Sequence, residues 1–387
     1  MPADRRLDAR VRARLSDLRV HDLLRIMRPP TGVDLSSNDY LQLSVHPRVT
    51  AAFAAGIVSE GAGSTGSRLL RGERDVFVAV ERRFAEFKGT ESALFFSSGY
   101  LANLAVLTTL PEAGDAVFSD SLNHASLIDG VRLSKADRVV FPHNDARVLA
   151  QLIESTPCTG LRFVVVESLF SMDGDEAPLA EYARVCRETG ALLIVDEAHA
   201  VGVYGRCGTG LVEAAGVAAD VLVSINPAGK ALGVGGAFVA GPGWAIDYLV
   251  QRARPFVFST AAPPAMAHAL IASLDVIRDE PERRERLQAR AADLRARLRG
   301  AGIDVAAGPS QIIPVHIGAN DAAVAVASAL QADGFDVRAI RPPTVADGTS
   351  RLRVSVNVGL ETPALNRFVR LLVAALKEVG ICSAVSS

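Results

Sequence analysis

"ALLIVDEAHAVGVYG", residues 191–205, runs from five apolar residues straight into two acids. Apolar character at every position, not at alternate ones, marks a strand covered on both faces. The same pattern recurs in "ALFF" (93–96), "FVVV" (163–166) and "VLVSI" (221–225), each bounded by polar or glycine-containing turns. Amphipathic stretches lie between them. In "RDVFVAVERRFAEFKG" (74–89), Val76, Val80, Phe84 and Phe87 repeat at helical spacing, and Gly89 supplies the stop. Buried strands alternating with helices predict an α/β fold with a mostly parallel sheet between helices.

The flanks read differently. Residues 5–28 carry a mixed-charge helical pattern ended by Pro29 and Pro30, so residues 1–45 are expected to form a helical arm. The α/β domain is expected over 46–275. The charged stretch 278–299 predicts a long exposed connecting helix. Beyond it, "IIPVHIG" (312–318) and "RLRVSVNV" (351–358) alternate as strands of a smaller α+β domain over 276–387. A chain of 387 residues exceeds one hydrophobic core, in keeping with this division. The formal net charge of −2 gives no sign of a polyanion partner or an anionic membrane surface. Cys158, Cys186, Cys207 and Cys382 form no C-x-x-C pair, which argues against zinc and a disulfide framework and fits a reducing compartment. The N-terminus lacks the apolar core of a signal peptide, and no apolar run is long enough to span a bilayer. A cytoplasmic protein is expected.

In open α/β sheets, chemistry gathers at the carboxyl ends of the strands. "FVVV" is followed by Glu167 and Ser168, "ALLIV" by Asp196, and "ALFF" by "SSGYLAN", where Gly99 opens a helix. "VLVSI" precedes a loop carrying Lys230, one of four lysines against 37 arginines, within "SINPAGKALGVGG" (224–236). Any one of these is an ordinary cap or core polar group; four on one sheet edge are a site. A strand, Ser-Gly and a helix start offer N–H groups to a phosphate. An aspartate can hold a protonated ring nitrogen. A poorly solvated lysine amine among glycines is suited to imine formation. Together these are the requirements of pyridoxal 5'-phosphate. Two other motifs fail on context. "GAGSTG" (61–66) matches G-x-G-x-x-G but follows the Ala-rich helical stretch "AAFAAGIVSE", and "DEAH" has no phosphate loop to accompany it.

"GAGSTGSRLLRG", "SSGYLAN", "SDSLNHASLIDGVRLSKA", "ESLFSMDGDEAPL", "DEAHAVGVYGRCGTG", "GKALGVGGAFVAG" and "FVFSTAAPP", in this order, resemble the α-oxoamine synthases. These are fold-type I pyridoxal-phosphate enzymes that condense an amino acid with an acyl thioester and release CO2. The resemblance runs from "DLSSNDYLQL" (34–43) to "SRLRVSVN" (350–357). It implies a seven-stranded, mostly parallel sheet, a homodimer with a shared site, and an acyl-CoA or acyl-carrier-protein substrate. "GSRLLRG", "SSGYLAN" and "FSTAAPP" look most like members joining L-alanine to a pimeloyl thioester. Relatives using glycine or serine and another acyl chain are the alternative.

Carried over by position, the resemblance makes Lys230 the Schiff-base lysine and acid/base, and His124 the residue stacked on the cofactor ring. Asp196 would pair with the ring nitrogen and His199 with the phenolic oxygen. Ser98, Gly99 and Tyr100 would lie at the phosphate or beside the ring, with Ser259 and Thr260 reaching the partner subunit's phosphate. Glu167 and Ser171 would line the site, and Asn38 and Arg353 would hold the amino-acid carboxylate. Arg351 reads as a surface strand residue. One departure stands out: the family places a threonine or serine three residues before the lysine, where this chain has Pro227, lacking both hydroxyl and N–H. Asn226 or Ser224 substitutes, or the loop takes another path.

Overall fold

The computed structural model describes residues 3–381. They form two compact units, one of residues 38–171 and 175–286, the other of 3–37, 172–174 and 287–381. The larger unit continues past residue 275 because helix Pro264–Asp279 packs on helices Pro47–Glu60 and Asp75–Lys88. Cys382 lies outside the described residues, and the other three cysteines are unbridged.

The larger unit is built on seven strands: β1 (Ser92–Phe96), β2 (Ala116–Asp120), β3 (Asp137–Phe141), β4 (Arg162–Glu167), β5 (Leu192–Asp196), β6 (Val221–Pro227) and β7 (Ala237–Gly241). Their order across the sheet is β1-β7-β6-β5-β4-β2-β3. Neighbours pair in parallel except at β7, which is antiparallel to both β1 and β6. The mostly parallel seven-stranded sheet is thus the observed architecture. The four continuous apolar runs are β1, β4, β5 and β6. Of the other three strands, β3 is an edge strand with most of its side chains at least partly exposed, so its sequence "DRVVF" lacks a buried strand's uniform apolar character.

Helices cover the sheet. The core joins Leu94, Phe96, Val117, Phe163, Val165, Ile194, Val223, Ile225 and Val239 of the strands to Ala102, Val106, Leu127 and Leu249 of the helices. Helix Asp75–Lys88 ends where predicted, with Gly89 in the left-handed conformation at φ 69°. Helix α1 (Gly99–Leu107) starts after β1, its N-cap Ser98 accepting from Leu101 N–H. Helix α2 (Ala125–Leu133) starts after β2, and its N-cap is His124. "AAFAAGIVSE" is helical within Pro47–Glu60, which removes the strand a dinucleotide fingerprint needs.

The smaller unit is α+β. Its antiparallel sheet runs in the order Ala339–Ile340, Ser350–Ser355, Ile312–Gly318, with helices Asn320–Ala332 and Thr362–Glu378. Val33–Asp34 pairs in parallel with Phe335–Asp336, and Gly32, at φ 77°, is required because a Cβ there would stand 2.1 Å from the Gly334 carbonyl oxygen. The N-terminal helix stops at Val20, short of the expected Pro29-Pro30, since Asp22 takes φ 55° and turns the chain. The stretch 278–299 is also broken, with one helix ending at Asp279 and the next covering Glu282–Gly300. It is not simply exposed: Leu287, Ala291, Leu294 and Leu298 form a fully buried stripe. Among the described residues no helix is long and apolar enough to cross a membrane.

Candidate active site

Strand register brings the acids together. Glu167 pairs with Asp196 across β4 and β5, and Asp196 pairs with Ile225 of β6. Both carboxylates are almost wholly buried. Asp196 accepts on both oxygens, from Ala198 N–H and from Asn103 Nδ2, each at 2.8 Å. Glu167 is held differently. Burial, then the charge of Asp196, pushes its carboxyl up to about 8 against the opposing pull of Lys230 and of the His124 and Ser171 N–H groups. Its Oε1 has no hydrogen-bond partner in the structure.

Lys230 lies in the turn between β6 and β7, half-buried, with Nζ 2.9 Å from His199 Nε2. The other nitrogen of His199 is 2.6 Å from the Tyr40 hydroxyl, which donates to Asn38 Oδ1 at 3.0 Å. Asn38, Tyr40, His199 and Lys230 thus form one polar line. His124 Nδ1 lies 2.7 Å from Ser126 Oγ and accepts from Ser126 N–H at 3.2 Å. Its imidazole is more acidic than usual: desolvation disfavours the charged ring, Asp196 partly restores it, and Lys230 lowers it again.

The remaining predicted residues are placed as follows. Ser98 caps α1, and Gly99 packs on Pro227, whose ring would be 2.7 Å from a Cβ at residue 99. Tyr100 gives its hydroxyl to Asp129. Ser171 is buried in the turn after β4. Ser259 and Thr260 line a small pocket with Arg68, Phe96 and Ser97 of the same chain. Asn226 donates to the carbonyl and hydroxyl of Ser224, each at 3.0 Å, and both residues are buried. That pair is engaged with itself beneath the Pro227 turn. In the smaller unit, Arg353 is buried and donates to Ser355 Oγ at 2.8 Å. Arg351 is not a surface residue; it is buried and paired with Asp173, because its strand has little exposed face.

Three further contributors were not singled out from sequence. Tyr40 lies within "SSNDYL", Asn103 within "SSGYLAN" and Ser126 within "NHAS". A lone amide in the otherwise apolar segment "LANLAVL" was the available signal for Asn103.

Residues 30–372 match the profile of the family described as aminotransferase class I and II. An 8-amino-7-oxononanoate synthase of Anaeromyxobacter dehalogenans is 49% identical over 347 residues, covering 90% of this chain and 87% of that protein. Among solved structures, a serine palmitoyltransferase from S. paucimobilis with a bound PLP-myriocin aldimine superposes with a TM-score of 0.91 at 28% identity, covering 99% of this chain and 100% of that one. The 8-amino-7-oxononanoate synthase of Francisella tularensis gives a TM-score of 0.78 at 28% identity, covering 90% and 99%.

Proposed function

Because this chain belongs to the class I and II aminotransferase family, in its α-oxoamine synthase branch, we propose that it joins L-alanine to a pimeloyl thioester in biotin synthesis. The products are 8-amino-7-oxononanoate, CO2 and the free thiol of CoA or an acyl carrier protein. The observation that carries this reading is the meeting of Lys230, His199, His124, Glu167 and Asp196 at the carboxyl edge of β4–β6.

The donor set fits pyridoxal 5'-phosphate: a primary amine, a carboxylate accepting on both oxygens, a Ser-capped helix start, and a buried carboxyl oxygen lacking a partner. Lys230 would carry it, Asp196 would face its ring nitrogen, His124 its ring and His199 its phenolic oxygen, with Ser98, Gly99 and Tyr100 at the phosphate or ring edge. When bound, the cofactor supplies a covalent hold on the substrate nitrogen and an electron sink for the carbanion. Lys230 Nζ removes the proton from the substrate Cα and returns it after CO2 has left. His199 Nε2, at 2.9 Å, orients that amine and accepts from it. Asp196 would stand where a ring proton must be retained. A guanidinium fork such as that of Arg353 is suited to an amino-acid carboxylate.

Ser259 and Thr260 would complete the site of a second subunit in a cytoplasmic homodimer. The test is thiol release with L-alanine, glycine and L-serine in turn, against pimeloyl and unbranched monocarboxylic thioesters. Preference for L-alanine with pimeloyl is expected; preference for glycine or serine with another chain would replace this reading.

A further inference from the structure

Asp196 and His124 come from different strand ends, yet a hydrogen-bonded chain through two buried side chains joins them. Asn103 Nδ2 lies 2.8 Å from Asp196 Oδ2 and 2.8 Å from Ser126 Oγ, and Ser126 Oγ lies 2.7 Å from His124 Nδ1. Asn103 and Ser126 are 2% and 1% exposed, so water does not substitute for the two Asn103 contacts; the His124 end of the chain is more open.

The proton positions follow from the donors available. The Asn103 amide has two N–H groups and uses one on each neighbour. Reversing the amide would set its oxygen against the Asp196 carboxylate, two acceptors facing each other. Its own Oδ1 is buried without a partner, so the site retains this orientation for the sake of the two donors. Ser126 Oγ, accepting from Asn103, has one proton left to give. The Ser126 backbone N–H also points at His124 Nδ1, and an N–H cannot bond to a protonated nitrogen. Nδ1 therefore carries a lone pair and accepts from both groups.

We propose that Asn103 and Ser126 are positioning residues that fix the Asp196 side chain in place and hold His124 as the neutral tautomer with its proton on Nε2. This rests on the site reading above, in which both groups face the cofactor. A neutral His124 avoids placing a second cation near Lys230, and its Nε2–H remains a donor for an anionic substrate group.

The charge state is a property of the protein's own residues and is readable without turnover. Nitrogen chemical shifts of isotope-labelled histidine, with the His124 signal identified by its loss in His124→Gln, are recorded across the neutral range with and without the cofactor. The wild-type protein should show one tautomer, Nε2–H, throughout. In Ser126→Ala only the longer backbone N–H contact of 3.2 Å still holds Nδ1, so the Nδ1–H tautomer should gain population over the wild type. Asn103→Leu should do the same if it folds; Ser126→Ala removes one atom and keeps the test available if it does not. A wild-type Nδ1–H tautomer, a charged ring at neutral pH, or an unchanged tautomer in Ser126→Ala would overturn the proposal. None of these results bears on which residue binds the cofactor or on substrate choice, so failure here is separable from failure of the proposed function.

Discussion

Two lysines of the larger unit make opposite use of the same side chain. Lys88 closes its helix with Nζ buried, paired with Glu197 and donating to the Thr209 carbonyl at 2.6 Å. Glu197 in turn accepts from Val212 N–H at 2.9 Å, and Gly210, at φ 126°, leaves room for its carboxylate, which a Cβ would approach to 2.3 Å. Lys230 instead has Nζ 2.9 Å from an imidazole nitrogen of His199. The acids Asp196 and Glu197 are adjacent, yet one serves the site and the other the brace. Alternation along an extended chain sends neighbours to opposite sides. A buried lysine is therefore not in itself a sign of chemistry; what it faces decides.

The sharpest way to break this comparison is to remove each amine. Lys230→Ala should lower kcat by on the order of 10⁴-fold or more, as for other residues that act covalently, while leaving the melting temperature nearly unchanged. Lys88→Met should do the reverse. Leaving Glu197 buried without its partner should cost about 3–5 kcal/mol in urea unfolding, with much of the loss recovered in Lys88→Met/Glu197→Leu. Equal effects of the two substitutions on activity and stability would erase the distinction.

A half-buried histidine extends the contrast. His143 sits between Asp120 and Asp175, at 2.9 and 2.7 Å, with Phe170 edge-on to its ring and Asn144 beside it. Burial alone would lower its pKa, but the two carboxylates carry it up to about 10. A folded pKa above the unfolded value of about 6.5 adds stability in full below the unfolded value. That contribution declines as pH rises and is gone above the folded pKa. Urea midpoints of wild type and His143→Gln should therefore differ most in mildly acid solution and converge toward pH 10. A gap that stays constant with pH would mean that His143 acts by packing alone.

The smallest expected effect is at Pro227. Restoring a hydroxyl with Pro227→Thr should tighten cofactor binding by roughly ten-fold, since a hydrogen bond to a charged phosphate adds about 1.5–3 kcal/mol. Titration of the apoprotein measures it. The Lys88 region should be untouched, and a changed melting temperature of the apoprotein would show that Pro227 mainly packs on Gly99.

What was legible in the sequence follows the same physics. Uniform apolar runs revealed β1, β4, β5 and β6 because both faces of each are covered, and the polar residues at their ends led to Glu167, Asp196 and Lys230. β3 was hidden because an edge strand need not be uniformly apolar. The stripe of Leu287, Ala291, Leu294 and Leu298 was masked by charged residues on the other faces of that helix. Asn103 and Ser126 were invisible for a different reason. Their meaning lies in pairings across 23 and 93 residues; beyond the lone amide in "LANLAVL", nothing local marks either residue as more than an ordinary helix amide and a helix-start serine.

Lys230 is proposed to form a covalent imine with an aromatic aldehyde. Borohydride reduction of the coloured, purified protein, followed by peptide mass mapping, tests this. A reduced pyridoxyl-phosphate adduct is expected on the peptide containing Lys230 and none on Lys88. An adduct on another residue, or no adduct at all, would contradict it.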